Sequence, residues 1–150
     1  MAAYIVVDAS VAGAWSFAEP FSTQAQLVLA AIETHRVIAL APDRFSEEVL
    51  RICQKKMLPP PSGAGVSQVD AWTRFLEVIT SPIVLLPSDE LHERAWDLAV
   101  AAGLTTHDAL YLAVAERWGA ELWTLDDVLC GPAASRYAAV RDLRSARFPY

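Results

Sequence analysis

The chain has 150 residues, of which 54% are hydrophobic and 20% are charged, and its formal net charge is −6. This length predicts a single domain over residues 1–150, and the apolar fraction excludes disordered and low-complexity proteins. The negative charge argues against a broad basic nucleic-acid interface, but bound divalent ions could still bring a nucleic-acid substrate to the protein.

The sequence has none of the patterns of membrane-spanning segments, a signal peptide or paired cysteines. No apolar run reaches the roughly 18 to 20 residues that span a bilayer. The N-terminus lacks the basic region of a signal peptide and has the pattern of a first strand. Cys53 and Cys130 are isolated, which argues against disulfide scaffolds and zinc sites. We therefore expect a cytoplasmic protein with no membrane partner.

Apolar periodicity and turn residues divide the chain into alternating strands and helices, without an internal repeat. Ser10 is the expected cap of the first helix, and Pro42 is expected to open the third. In chain order, we predict a strand at 4–7, a helix from about 11, a helix at 22–34, a strand at 37–40, a helix at 42–56, a loop at 59–65, a helix at 67–79, a strand at 84–86, helices at 88–103 and 105–119, and strands at 121–125 and 140–143. This alternation favours a three-layer α/β/α fold whose mostly parallel central sheet has four to five strands.

Asp8 and Asp126 each follow an apolar strand, which would place both at the carboxyl edge of such a sheet. Ligands of parallel α/β sheets bind at this edge. An aspartate in either position can also serve only as a turn or cap residue, so neither one identifies a site by itself.

Glu48 lies on the border of an apolar helix face. On a helical projection it is about 60° from Phe45, at the edge of the arc that contains Val49 and Ile52. A carboxylate that leans towards the core is costly without a partner. The alternative is an edge residue whose carboxylate reaches solvent.

Asp108 begins the segment Asp-Ala-Leu-Tyr-Leu-Ala-Val-Ala, a helix that is apolar on every side and is therefore expected at the centre of the fold. Thr105 and Asp108 have the spacing of a capping box, so Asp108 is expected to accept a hydrogen bond from the backbone near Thr105. A capping role and a site role are compatible, because the start of this helix also faces the strand ends.

If these four acids converge, their mutual repulsion raises their pKa values unless a cation holds them together. An all-oxygen ligand set favours Mg²⁺ or Mn²⁺, and such ions suit phosphodiester hydrolysis. Other kinds of active site are excluded because their motifs are missing from the sequence. There is no Asp-x-Asp phosphatase motif after the first strand, no glycine-rich phosphate loop and no nucleophile elbow. His107 could touch substrate, but an exposed position at a helix start is the favoured interpretation.

Four segments carry a further resemblance, namely Val-Val-Asp8-Ala-Ser-Val, Ala-Pro-Asp-Arg-Phe-Ser-Glu-Glu48-Val-Leu, Thr-Thr-His-Asp108-Ala-Leu-Tyr-Leu-Ala-Val-Ala-Glu and Leu-Trp-Thr124-Leu-Asp126-Asp. In this order and spacing they resemble the PIN-domain family, and within it the VapC-type toxins of toxin–antitoxin pairs. The resemblance implies an endoribonuclease that depends on Mg²⁺ or Mn²⁺, cleaves RNA, forms a homodimer and is inhibited by a VapB-type antitoxin.

The same resemblance implies specific roles for residues of this chain. The catalytic metal ligands it implies are Asp8, Glu48, Asp108 and Asp126. Ser10 and Thr124 would give nearby polar support. Arg51 stands where relatives often carry asparagine, and Asp127 competes with Asp126 as a ligand, although the resemblance favours Asp126.

Two other functions remain open on the sequence. One is a PIN-type nuclease for RNA processing or decay that has no antitoxin. The other is a non-catalytic PIN-like interaction domain, whose partner anchors would be Trp15, Phe17 and Phe21. A C-terminal group of arginines is interpreted as a solvated face in preference to a phosphate contact; its members are Arg136, Arg141, Arg144 and Arg147.

Overall fold

The structure is a computed structural model, and it describes residues 1–59, 63, 65–131 and 137–150. Among these residues, five strands form one sheet in which every neighbouring pair is parallel. The strands are β1 (Ala3–Val7), β2 (Val37–Pro42), β3 (Ile83–Leu86), β4 (Glu121–Thr124) and β5 (Val140–Asp142). The predicted parallel sheet is confirmed.

The order of the strands across the sheet is β3-β2-β1-β4-β5. Strand β1 is central and pairs with β2 on one side and with β4 on the other. The chain therefore builds the sheet outward from β1 to β3 and then returns to continue it from β4. The strand ends on either side of such a reversal form the crevice in which ligands of open parallel sheets bind.

Helices cover both faces of the sheet. They are α1 (Ala9–Ser16), α2 (Ser22–Glu33), α3 (Phe45–Lys56), α4 (Gln68–Ile79), α5 (His92–Ala102) and α6 (Thr106–Trp118), with a 3₁₀ turn at Asp89–Leu91 before α5. Helix α6 packs on β1, β2 and β4, and α5 packs on α6. Helices α1 and α2 pack on β4 and β2, and α3 and α4 extend that layer. The three-layer α/β/α prediction is thus confirmed.

The core lies between the central strands and α6. Ile5, Val6 and Val7 of β1 are fully buried, and the middle of α6 is buried on all sides from Ala109 to Ala115. This pattern explains why both segments are apolar without periodicity, since a helix or strand that is enclosed has no solvent face to mark with polar residues. Among the described residues, no single helix is long and apolar enough to cross a membrane, and one bent pair, α5 with α6, passes by length and composition only.

Two predicted helix starts are wrong. Helix α1 begins at Ala9 and not near residue 11, because Asp8 is its N-cap residue and the Ser10 hydroxyl is directed to the Asp8 carboxylate. Helix α3 begins at Phe45 and not at Pro42, because Pro42 is still paired with Leu86 in the sheet.

The other predicted elements are present within a few residues of their expected ends. Ser67 caps α4 by accepting a hydrogen bond from the backbone N–H of Asp70 at 3.1 Å. Gly103 and Gly119 end α5 and α6 with φ of +66° and +58°, which glycine adopts without strain. Within the predicted loop at 59–65, residues 60–62 and 64 lie outside the described residues.

Trp15 and Phe17 belong to the hydrophobic core and are only 8% and 9% exposed. The alternative in which these two residues anchor a partner of a non-catalytic domain therefore does not hold, because a side chain buried in its own domain has no area to offer another protein.

Candidate active site

Asp8 occupies the junction of β1 and α1, at the carboxyl end of the central strand. It is only 4% exposed, yet both of its carboxylate oxygens are hydrogen bonded. Ser10 Oγ donates to Oδ1 at 2.5 Å, and Thr124 Oγ1 donates to Oδ2 at 2.8 Å. Two hydroxyl donors thus replace the water that burial removes from this carboxylate.

The same two hydroxyl groups connect Asp8 to the end of β4. Ser10 Oγ accepts from the backbone N–H of Leu125 at 3.0 Å, and Thr124 Oγ1 accepts from the N–H of Asp126 at 3.0 Å. The network joins Asp8 to a segment 116 residues away in the sequence. Ser10 and Thr124 therefore lie beside Asp8, where polar support was expected.

Glu48 projects from the first turn of α3 towards this edge of the sheet. Its Oε2 accepts a hydrogen bond from the Tyr111 hydroxyl at 3.1 Å, and Tyr111 comes from the buried helix α6. Among the described residues its Oε1 is buried without a hydrogen-bond partner, and His107 Nδ1 lies 3.8 Å away. A buried carboxylate oxygen without a donor is costly, so this atom is suited to a cation.

Burial raises the pKa of Asp8 to about 7, against the hydrogen bonds from Ser10 and Thr124 that lower it, and the charge of Asp126 adds to the rise. Burial likewise raises the pKa of Glu48 to about 7, and the charges of Asp8 and Asp108 add to it while the Tyr111 hydroxyl lowers it. These carboxylates are therefore close enough to oppose one another's ionisation.

Asp108 lies in the first turn of α6, where Thr105 is the N-cap residue. Thr105 Oγ1 accepts from the N–H of Asp108 at 3.2 Å and donates to its Oδ2 at 3.0 Å. The expected bond from the backbone to the Asp108 carboxylate is thus replaced by one from the Thr105 hydroxyl. Burial raises the pKa of Asp108, and the nearby charge of Asp126 raises it further.

Asp126 follows β4 and turns the chain, because its Oδ1 accepts from the N–H groups of Val128 and Leu129 at 2.9 and 3.1 Å. The turn role and a site role therefore coincide in this residue. Neighbouring Asp127 points away: its carboxylate is 90% exposed and pairs with Arg144 at 2.7 Å. This difference in direction favours Asp126 as the member of the site.

The four acids share one edge of the sheet but are not gathered around one point. Across residues 1–59, 63, 65–131 and 137–150, no group of three or more His, Cys, Asp or Glu side chains is arranged to hold a metal ion. The chemistry of the donor set nevertheless fits a hard divalent cation, because it consists of carboxylates and includes the unpartnered Oε1 of Glu48.

Two of the four C-terminal arginines, Arg141 and Arg144, form ion pairs with carboxylates of the described residues. Arg141 pairs with Glu121 at 3.1 Å, and Arg144 pairs with both Asp142 and Asp127. Arg136 lies outside the described residues. The described pairs agree with a solvated, ion-paired face.

Tyr111 is the residue of the site that sequence reasoning did not single out. It lies three positions after Asp108, and residues with that spacing share a helix face. Its tyrosine hydroxyl, set in an otherwise apolar helix, was the available signal, since a buried hydroxyl requires a polar partner.

Comparison with known proteins gives one family and several relatives. The family model described as the PIN domain matches residues 5–134. Ribonuclease VapC3 of Pyrobaculum aerophilum is 26% identical over 122 residues, which cover 81% of this chain and 88% of that protein.

Two solved structures share the fold. The crystal structure of Mycobacterium tuberculosis VapC20, a sarcin-ricin loop cleaving toxin, has a TM-score of 0.66 at 16% identity, with 92% of this chain and 99% of that chain covered. The crystal structure of PAE2754 from Pyrobaculum aerophilum has a TM-score of 0.66 at 24% identity, with 97% and 94% covered.

Substitution of Thr124 by valine tests the network around Asp8. Valine keeps the shape but removes the donor to Asp8 and the acceptor for the Asp126 N–H, so we expect a loss of about 1–3 kcal/mol in the free energy of unfolding. The loss should be larger at pH 8 than at pH 5, because ionised Asp8 depends most on the donor. Thr23→Val, on the exposed surface of α2, is the matched control in urea unfolding. Equal effects of the two variants would contradict the network.

Asp8→Asn tests the cost of the buried charge in EDTA. Because the folded-state pKa of Asp8 is raised to about 7, the native protein keeps a proton between pH 4 and 7 that the unfolded chain loses. The free energy of unfolding therefore falls as the pH rises through this window. Asparagine removes this part of the dependence, so the variant should be more stable than the parent chain at pH 8, by on the order of 1–3 kcal/mol. If the free energies of unfolding of the two proteins change in parallel with pH, the raised pKa of Asp8 is refuted.

Proposed function

The chain belongs to the PIN domain family, and from this premise we propose that it is a metal-dependent endoribonuclease of the VapC type. The observation that carries the proposal is the buried carboxylate of Asp8 at the carboxyl edge of the sheet, where Glu48, Asp108 and Asp126 lie close enough for their charges to raise one another's pKa values or that of Asp8. The ribonuclease name of the Pyrobaculum relative and the toxin title of the Mycobacterium structure support it.

Asp8, Glu48, Asp108 and Asp126 are the residues that would hold Mg²⁺ or Mn²⁺. A bound divalent cation would offset their charge, attract a phosphodiester and stabilise the negative charge that develops on the phosphate oxygens during hydrolysis. Without such a cation, an edge with several carboxylates would repel an anionic RNA backbone.

The remaining contribution of the chain is to fix the direction of these carboxylates. The hydroxyls of Ser10 and Thr124 hold both oxygens of Asp8, and the Tyr111 hydroxyl holds one oxygen of Glu48 and leaves Oε1 available. Thr105 holds Asp108 at the start of α6. Supporting donors of this kind keep ligand groups in place and reduce the rearrangement that binding requires.

In biological terms, the proposal is a cytoplasmic toxin that cleaves RNA, acts as a homodimer and is neutralised by a VapB-type antitoxin. The ribonuclease name and the toxin title of the relatives support the toxin part, and the antitoxin is what the resemblance to VapC-type toxins implies. A short reading frame for a small DNA-binding protein just upstream of the gene would favour this role over a nuclease of RNA decay.

Substitution of the adjacent acids Asp126 and Asp127 provides a matched test of the metal site. Asp126→Asn keeps an acceptor for Val128 and Leu129 but removes the charge, so we expect EDTA-sensitive RNA cleavage to fall at least about 100-fold. Stabilisation by Mn²⁺ in thermal melting should also be lost, because an ion that binds only the folded state raises the melting temperature. Asp127→Asn should retain both properties, since its carboxylate faces Arg144. An equal loss of RNA cleavage in the two variants would contradict the site. A parent chain that Mn²⁺ does not stabilise would also contradict it.

Expression in a bacterial host tests the toxin role. The parent chain should arrest growth, and Asp8→Asn and Asp108→Asn should not, because each removes a proposed metal ligand. Co-expression of the upstream protein should restore growth of cells that produce the parent chain. If all three chains behave alike while folding to the same level, the enzymatic role is refuted.

A further inference from the structure

A groove leads away from the acidic edge between α3 and α5. One part has a volume of about 310 Å³ and is lined by residues that include Glu48, Arg51, Arg44 and His107. A second part of about 250 Å³ also has Arg44 and His107 in its wall, and it extends to Trp96. Because the two parts share Arg44 and His107, they are neighbours along one path, which we call the Trp96 groove.

Trp96 is unusually exposed for a residue of its type. Helix α5 buries Ala95, Leu98, Ala99 and Ala102, whereas the Trp96 side chain lies outside this face and is 64% exposed. In the described part of the chain, no other aromatic ring stacks on it. An open indole beside a groove with an arginine and a histidine in its wall is a surface on which a nucleobase can stack.

The arginines of the groove are less engaged than others of the chain. Arg94 and Arg144 bind carboxylates at 2.6 and 2.7 Å. Arg44, in contrast, has a single long ion pair within the described residues, at 3.7 Å from Glu47, which is itself 76% exposed. Its charge also acts on the carboxylates of Asp43 and Glu48, and Arg51 has no ion pair within the described residues. In a chain whose net charge is −6, these positive groups beside the acidic edge complement an anionic backbone.

We propose that the Trp96 groove binds single-stranded RNA, with an unpaired base stacked on Trp96 and an adjoining phosphate held by Arg44. The inference rests on the proposed function, since it supplies the substrate path of the same site. An unpaired strand is required because bases inside a duplex are stacked on one another and cannot cover an indole. Arg51, which also lines the groove, would add a second phosphate contact on the α3 side.

A second copy of the chain is the competing occupant of this surface. Trp96 and Val100 are one helical turn apart on α5 and are 64% and 65% exposed, so they could form part of an interface between copies. Val100 does not line the groove, which allows the two possibilities to be separated.

The test measures binding of a fluorescein-labelled single-stranded oligoadenylate RNA to the full chain by fluorescence anisotropy, in Ca²⁺, a hard divalent ion that takes carboxylate ligands and would offset the charge of the acidic edge. We expect Trp96→Ala to weaken binding roughly 5- to 150-fold, whereas Trp96→Phe retains most of it. Trp118→Ala at the end of α6, an exposed tryptophan (41%) whose pocket shares no residue with the groove, is the control and should bind as the parent does. Trp96→Ala should weaken the binding of an oligonucleotide with one abasic position by a smaller factor than it weakens the binding of the intact oligonucleotide. Arg44→Gln should reduce the salt dependence of binding by about 0.7 in the logarithmic slope.

The outcomes are distinct. Unchanged binding by Trp96→Ala, or an equal loss of binding with Trp118→Ala, overturns the proposal. Light scattering on Trp96→Ala and Val100→Ser tests whether a second copy of the chain covers this surface. If both variants dissociate a dimer, the surface is an interface between copies and the RNA-binding proposal is overturned. Trp96-dependent binding by a chain that cleaves no cellular RNA in Mn²⁺ would support the groove and contradict the nuclease function instead.

Discussion

The carboxylate of Asp8 is buried where β1 ends, and the whole site depends on how its charge is accommodated. Burial alone would favour the protonated acid, and two hydroxyl donors from Ser10 and Thr124 act in the opposite direction. Those hydroxyls are in turn held by backbone N–H groups after β4. One polar network therefore fixes a carboxylate and also joins the two strands at which the direction of sheet growth reverses.

The acidic edge carries a conflict between stability and function. The pKa values of Asp8 and Glu48 are raised to about 7, so the protein in EDTA is most stable when these groups hold protons. A divalent cation requires them deprotonated. A chain that kept such groups only as turns and caps would have no need to bury them, and Asn or Ser could do the capping. Conflicts of this kind are typical of sites at which ligand binding has shaped the sequence.

Much of the fold could be predicted because β1 and the middle of α6 are apolar without interruption, and because Thr105 and Gly119 mark the two ends of α6. The errors at Ser10 and Pro42 have a common cause. Both residues are typical of helix starts, but tertiary contacts use them otherwise: Ser10 binds Asp8, and Pro42 remains in the sheet. Local propensity is a weak guide where distant segments compete for the same group.

The site was predictable in part. Strand ends indicated Asp8 and Asp126, and the helical projection indicated Glu48, because these positions follow from backbone periodicity. The contact of Tyr111 with Glu48 spans 63 positions and depends on the angle between α3 and α6, which no local pattern encodes. The choice between Asp126 and Asp127 likewise required Arg144, whose pairing with Asp127 becomes visible only in three dimensions.

The most direct measurement is anomalous diffraction from crystals of the chain grown with Mn²⁺. We predict a manganese peak at the carboxyl edge of the sheet, with carboxylate oxygens of Asp8, Glu48, Asp108 or Asp126 at roughly 2.0–2.3 Å, the range of metal–oxygen bonds. Glu48 Oε1 should then have the partner that it lacks. Well-ordered crystals in which this edge carries no manganese, at ion concentrations that saturate other nucleases of this kind, would contradict a metal-dependent site.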